Sequence, residues 1–352
     1  YLLPETVSDL PPIAGILTAG EGNPLSHVQL LARNLGIPNV SVNENLTGKL
    51  EAHDGEKVVL AVSPAGLVEI TPFDAGWEER LSAGGAGGDV VIRPDLDKLD
   101  LSVTTFPNLD DLRADDSGRS VGPKAAKLGE LRNAFPESVA PGVAIPFGVF
   151  KQVVLDQPHK NGSQTVYEWM VQQYRALEKF PADSAERAES TERFRAELYD
   201  IILNTRPDAK FREQLRSAMV AAFGSADTGI FVRSDTNVED LPGFTGAGLN
   251  LTLPNVVGFD NLMDAIARVW ASPFTARAFA WRQSHMETPE HVYTSILLLE
   301  SVASDKSGVL VTQDLDTGDR EVISVAVNEG VGGAVDGQAA ESLRIDTRDG
   351  SV

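Results

Sequence analysis

The stretch NPLSHVQLLARNLGIPNV, residues 23–40, decides how this chain is read. Ser26 is suited to cap a helix running through SHVQLLARNLG, and Gly36 is suited to stop it. His27 then falls in the first helical turn. An apolar strand, IAGILTA (13–19), precedes this helix and NVSV (39–42) reads as the next strand. KVVLAVSPAGLVEI (57–70) reads as a hairpin with Pro and Gly at its turn. Residues 13 to 72 are therefore expected to form a small α/β unit with a histidine at a helix start. A neutral imidazole, of unperturbed pKa about 6.5, is a competent nucleophile. The free N–H groups and dipole of a helix N-terminus favour an anion such as a phosphoryl group. Arg33, nearly two turns along, could reach back as a second anion ligand. The plainer alternative is that His27 only fills a partly buried helix start.

With 352 residues, two or more domains are expected. The hydrophobic fraction of 42% and charged fraction of 23% describe an ordinary globular protein. The net charge of -21 opposes non-specific binding to nucleic acid or anionic membranes. A small anion such as ATP would need a local nest of positive groups. Without cysteine there is no disulfide, no thiol chemistry and no thiolate metal site, which fits a cytoplasmic location. No apolar run is long enough to span a bilayer, and no signal peptide is evident. The chain starts with Tyr1 and stops at Val352 without a natural closing element, so it reads as a piece of a longer protein.

Residues 83–120, with SAGGAGGD and PDLDKLDLS, read as a linker plus an edge strand. GPKAAKLGELRNAF (122–135) reads as a helix, and VAIPFGVFKQVVLD (143–156) as a strand running into a helix. Apolar residues recur at helical spacing through 164–222. GIFVRSD (229–235) is a strand, LMDAIARVWASPFTARAFAWRQS (262–284) one helix, and YTSILLLES and SGVLVTQDL two further strands. The Trp and Tyr residues at 167–174 and 270–281 are expected to pack the core. His53, His159, His285 and His291 have no metal-ligand spacing.

Two further features carry chemistry. Lys124 opens a helix behind a Gly-Pro turn, suited to a nucleotide phosphate, although a solvated surface lysine is commoner. In FVRSDTNVEDLPGFTGAGLNLT (231–252), a strand carrying Arg233 leads to Glu239-Asp240 and glycines at 243, 246 and 248. Glycines let amides approach phosphates, and arginine offers a bidentate fork. The plainer alternative is a tight hairpin with an Arg–Glu ion pair.

Taken together, these motifs carry a resemblance. GILTAGEGNPLSHVQLLARNLGIPNV resembles the swivelling phosphohistidine domain of the dikinases that make or use phosphoenolpyruvate. VGPKAAKLGEL, FVRSDTNVEDLPG and SGVLVTQDLDTGD are similar to successive parts of the ATP-grasp nucleotide domain of the same enzymes. The resemblance implies an α/β and α+β multidomain chain. A phosphohistidine domain over 1–75 and a linker over 76–118 would precede an ATP-grasp domain over 119–352, incomplete at its C-terminus. This order is that of glucan and phosphoglucan water dikinases. It is the reverse of that in pyruvate phosphate dikinase and phosphoenolpyruvate synthase. Leu25 in LSHV, where the pyruvate enzymes usually carry threonine, agrees with the water dikinases. So do AIPFGVF, NVEDLPGFTGAGL and RVWASPFTARA, whereas LGIPNV keeps the form of the pyruvate enzymes.

By resemblance, His27 is the catalytic nucleophile, supported by Ser26 and Arg33. Lys124 and Arg233 would bind the ATP phosphates, Thr252 would lie near the nucleotide, and Glu300 would stand where the family usually has a glutamine at the adenine hinge. Mg²⁺ is the implied cofactor; its ligands are not identified, the family's magnesium-binding acid being expected beyond Val352. The implied activity is that of a dikinase, a phosphotransferase with paired acceptors. ATP is split to AMP, the β-phosphoryl passes through His27 to a glucan-like acceptor, and the γ-phosphoryl passes to water or phosphate. The alternatives are an enzyme of the phosphoenolpyruvate synthase or pyruvate phosphate dikinase type acting on pyruvate, and a non-catalytic nucleotide-binding module. An antibiotic phosphotransferase is a further one. Expected partners are ATP/AMP and the acceptor, with no nucleic acid or membrane; a homodimer is left open.

Overall fold

The computed structural model describes residues 2–3, 13, 15–19, 25, 29, 32, 37–63, 67–84, 91, 93–182, 184–239, 250–315, 317–332 and 341–352. Its contacts form two units. One joins the N-terminal segment to Val90 with Ala303–Val352; the other joins Val91–Pro242 with Leu249–Val302.

In the first unit, β1 (Leu2–Leu3), β2 (Ile16–Thr18) and β3 (Asn39–Ser41) make a parallel three-stranded sheet. Helix α1 (Glu44–Glu51) was not anticipated. It follows Asn43, whose side-chain oxygen accepts from the Leu46 N–H at 3.0 Å, a cap available to Asn but not to an apolar residue. The expected hairpin forms from β4 (Val58–Val62) and β5 (Val68–Pro72), and α2 (Ala75–Gly84) follows.

The second unit is built on an antiparallel sheet of β6 (Gly142–Ile145), β7 (Ile230–Thr236), β8 (Thr252–Val256) and β9 (Thr294–Glu300), in the order β6-β9-β7-β8. Alternation along the strands splits their side chains between two faces. Ile230, Val232, Ile296 and Leu298 join the main core. Against it pack α4 (Phe147–Phe150), α5 (Val166–Leu177), α6 (Ala185–Leu203), α7 (Ala209–Phe223), α8 (Phe259–Ala271) and α9 (Ala276–His285). Ala144 and Leu297 face the other way and meet Ala125 and Ala126 of α3 (Pro123–Ala134).

The single helix expected over 262–284 is two, because Pro273 has no N–H to donate and its ring obstructs the preceding turn. The aromatic residues pack as expected: Trp270 is fully buried, with Trp169, Tyr174 and Trp281 nearly so. The tract read as linker and edge strand differs from residue 93 onward. Among the described residues it holds no strand, only 3₁₀ turns at Leu109–Asp111 and Ala114–Asp116. Leu109 and Leu112 are buried against α3, and Leu99 and Leu101 pack on the main core.

The C-terminal strands β10 (Lys306–Val311), β11 (Val322–Glu329) and β12 (Glu341–Asp346) form an antiparallel meander, of which only the first was expected. They belong to the first unit, where Leu25 is buried with Ala326 and packed by Val309, Val311 and Leu315. None of the described helices is long and apolar enough to cross a membrane.

Candidate nucleotide site

The start of α3 lacks a cap of its own, since Gly122 at the N-cap has no side chain and Pro123 follows it. Asp235, near the end of β7, supplies one. Its Oδ1 accepts from the Lys124 N–H at 2.8 Å and its Oδ2 from the Ala125 N–H at 2.9 Å. Because Pro123 has no N–H, three free donors remain at this helix start, and one carboxylate satisfies two of them. Gly122 is required by space rather than by its dihedrals, which are ordinary at φ -79. A Cβ there would fall inside the Asp235 carboxylate and 2.7 Å from its main-chain carbon. Ser295 on β9 completes the junction, accepting from the Gly122 N–H at 3.0 Å and donating to the Asp235 carbonyl at 2.6 Å.

Lys124 thus leaves the helix start directed to the end of β7. Its ammonium donates to both Glu239 oxygens at 2.7 Å and to the Ser234 carbonyl at 2.9 Å. Glu239 also accepts from the Thr236 N–H at 3.0 Å and from Asn250 Nδ2 at 3.2 Å. Glu239 and Asp235 are both buried. Burial pushes the Asp235 carboxyl up to about 7; Lys124 and the two amides oppose this, and Glu239 reinforces it.

Arg233 lies two residues before Asp235 on the same face of β7, opposite Leu297 of β9 and Thr252 of β8. It is half-buried, Thr252 is exposed, and no carboxylate among the described residues pairs with Arg233. The ion pair pictured in the plainer alternative is therefore not the one formed: Glu239 takes Lys124, leaving Arg233 available. Nor is Lys124 a solvated surface lysine, its side chain being 31% exposed and fully hydrogen-bonded.

Lys124, Arg233 and Thr252 are thus gathered at one end of the sheet. Glu300 is exposed at the opposite end of β9, paired with Ile230 rather than with Arg233. Alternation turns its side chain to the opposite face from that of Arg233. Ser26, His27, Arg33 and the glycines at 243, 246 and 248 lie outside the described residues. Among the described residues no group of three or more His, Asp or Glu side chains is placed to hold a metal ion. His159 is instead stacked on Trp169 at 4.4 Å and bonded to Glu197 at 2.9 Å. Sequence reading assigned no role to Asp235, Ser295 or Gly122. Only the Gly-Pro helix start, lacking a cap residue, signalled that a partner must come from elsewhere.

This arrangement can present a half-buried guanidinium and a lysine to a polyphosphate from one sheet face. Residues 118–345, well over half of the chain, match the profile of the pyruvate phosphate dikinase AMP/ATP-binding domain. The chain belongs to that family. Residues 1–63 match the mobile domain of PEP-utilising enzymes, so in this chain the mobile-domain match precedes the ATP-binding one. The two matches place it in the phosphoenolpyruvate synthase and pyruvate phosphate dikinase superfamily of phosphohistidine dikinases.

Among curated proteins, a probable phosphoenolpyruvate synthase of Methanothermobacter thermautotrophicus is 30% identical over 230 residues, 64% of this chain and 31% of that protein. Phosphoenolpyruvate synthase of Pyrococcus furiosus is 29% identical over 242 residues, 61% of this chain and 29% of the relative. Rifampicin phosphotransferase of Bacillus subtilis is 36% identical over 104 residues, 30% of this chain and 12% of the relative. The chain therefore spans less than a third of the length of these relatives. Their names favour the pyruvate-type alternative over the glucan-like acceptor that motif detail and domain order suggested.

Proposed function

We propose that this chain is the ATP-splitting part of a phosphohistidine dikinase of the phosphoenolpyruvate synthase type. The observation that carries the reading is the gathering of Lys124, Arg233 and Thr252 on one face of the β6-β9-β7-β8 sheet, in a segment matching the AMP/ATP-binding family. Lys124 and Arg233 would hold the triphosphate and offset the charge that develops on transfer. His27 Nε2 would attack the β-phosphorus, forming an N–P bond as the bond to the α-phosphate oxygen breaks and AMP leaves. The terminal phosphoryl group would pass to water or phosphate, and the remaining phosphohistidine would serve the acceptor. His27 as carrier is supported by its position inside the mobile-domain match.

Pyruvate is the acceptor class we favour, on the names of the relatives. The order of the two matched segments is the feature that favours a glucan-like acceptor instead.

The test uses the full-length protein with β-labelled and, separately, γ-labelled ATP, beside His27→Ala. Acid-labile label from the β-position, with AMP released, and both lost in His27→Ala, is the expected result. ATP binding without label in either protein would refute the dikinase and leave a nucleotide-binding module.

A further inference from the structure

The lysine offered to ATP is already occupied. All three donors of the Lys124 ammonium are used, two on Glu239 and one on the Ser234 carbonyl. Glu239 is nevertheless equipped to lose it. With its side chain only 7% exposed, it keeps the Thr236 amide and the Asn250 side-chain amide as donors when the lysine departs. The two retained hydrogen bonds lower the cost of leaving the buried carboxylate without its lysine, and the more exposed Lys124 is the partner able to move. The neighbouring charges agree. Asp235 stays on the helix amides, and Arg233 on the adjoining position carries no carboxylate partner among the described residues. Among the described residues one cation of the site has no carboxylate partner and the other is held in reserve.

We propose that Glu239 is a positioning residue of the nucleotide site. It holds the Lys124 ammonium in the absence of nucleotide and competes with the triphosphate for it. The proposal rests on the ATP-binding reading above. Its consequence is that part of the affinity for ATP is given up in breaking the Lys124–Glu239 pair, so removing the negative charge tightens binding. A merely structural pair would do the opposite or nothing. Glu239→Gln keeps an oxygen for the Thr236 amide and removes the charge.

The experiment measures the ATP dissociation constant of the full-length protein by calorimetry, for wild type, Glu239→Gln, Lys124→Ala and the double variant, with near-UV circular dichroism as the check on folding. Glu239→Gln is expected to bind ATP about 3- to 10-fold more tightly, the range set by the net contribution of one ordinary hydrogen-bonded contact. The gain should vanish in the Lys124→Ala background, because it acts through that lysine. Unchanged or weaker binding in folded Glu239→Gln, or a gain that persists without Lys124, overturns the proposal. Should Glu239→Gln not fold, Glu239→Asp, whose shorter arm withdraws the carboxylate, is read by the same criterion. If wild type binds no ATP, the functional reading falls and this inference with it. If wild type binds, Lys124→Ala loses affinity and Glu239→Gln does not gain, only the inference falls.

Discussion

Replacing Gly122 by alanine tests the junction of α3 and β7 through a single methyl group. At φ -79 and ψ 178 the backbone accepts alanine without strain, so the unfolded-state effect alone would stabilise by about 0.4–1 kcal/mol. The methyl has nowhere to go. It would overlap the Asp235 carboxylate, whose own position is fixed by the Lys124 and Ala125 amides and by the Ser295 bond to its carbonyl. Forcing an extra carbon into a packed site costs about 1–3 kcal/mol. Displacing the carboxylate from the helix start costs about 0.5–2 kcal/mol more. The net expectation is a loss centred on about 2.5 kcal/mol, within about 0.5–4.6 kcal/mol. Urea unfolding followed by tryptophan fluorescence reports on this unit, since Trp169, Trp270 and Trp281 lie in it and only Trp77 lies in the other. A Gly122→Ala protein with an unchanged midpoint would refute the claim that Asp235 is locked under α3.

Two further outcomes can be checked on the same unit. Trp270→Ala should cost about 3–5 kcal/mol; Trp270→Phe should cost clearly less, because most of the ring is kept and the buried indole N–H has no partner among the described residues to lose. The Asp235 carboxyl, raised from 3.8 to about 7 by burial, binds its proton more tightly folded than unfolded. Its contribution to stability is therefore full below pH about 4 and is lost as the pH rises towards 7. Asp235→Asn should flatten that part of the pH profile, and an unaltered slope would show that another group is responsible.

Much of the second unit was legible because its signals are local. Helical spacing of apolar residues marks α5, α6 and α7, and the Gly-Pro dipeptide marks the start of α3. The candidate site was legible as motifs but not as connections. Glu239 stands six positions from Arg233 yet 115 from Lys124, and local proximity suggested the wrong pair. Choosing between them requires knowing that Asp235 fixes the start of α3 on β7, a contact across 111 positions. The tract at 93–118 misled for a different reason. Its acidic residues read as solvated linker, while leucines at irregular spacing, with neither a helical nor a strand period, are what the fold buries. The break at Pro273 was visible in sequence and was outweighed by the apolar pattern on either side.

The segment around Leu25 and the strand carrying Ala326 share one small core, although the whole second unit lies between them in sequence. During synthesis the first part therefore emerges long before its partner exists. At about 5–20 residues per second, the more than 200 residues separating Val90 from Ala303 take on the order of 10–40 s to appear. Over that interval Leu25 has no sheet to cover it, and the intervening unit can complete its own folding first. The small core around Leu25 is then completed last, although one of its members is among the first residues made.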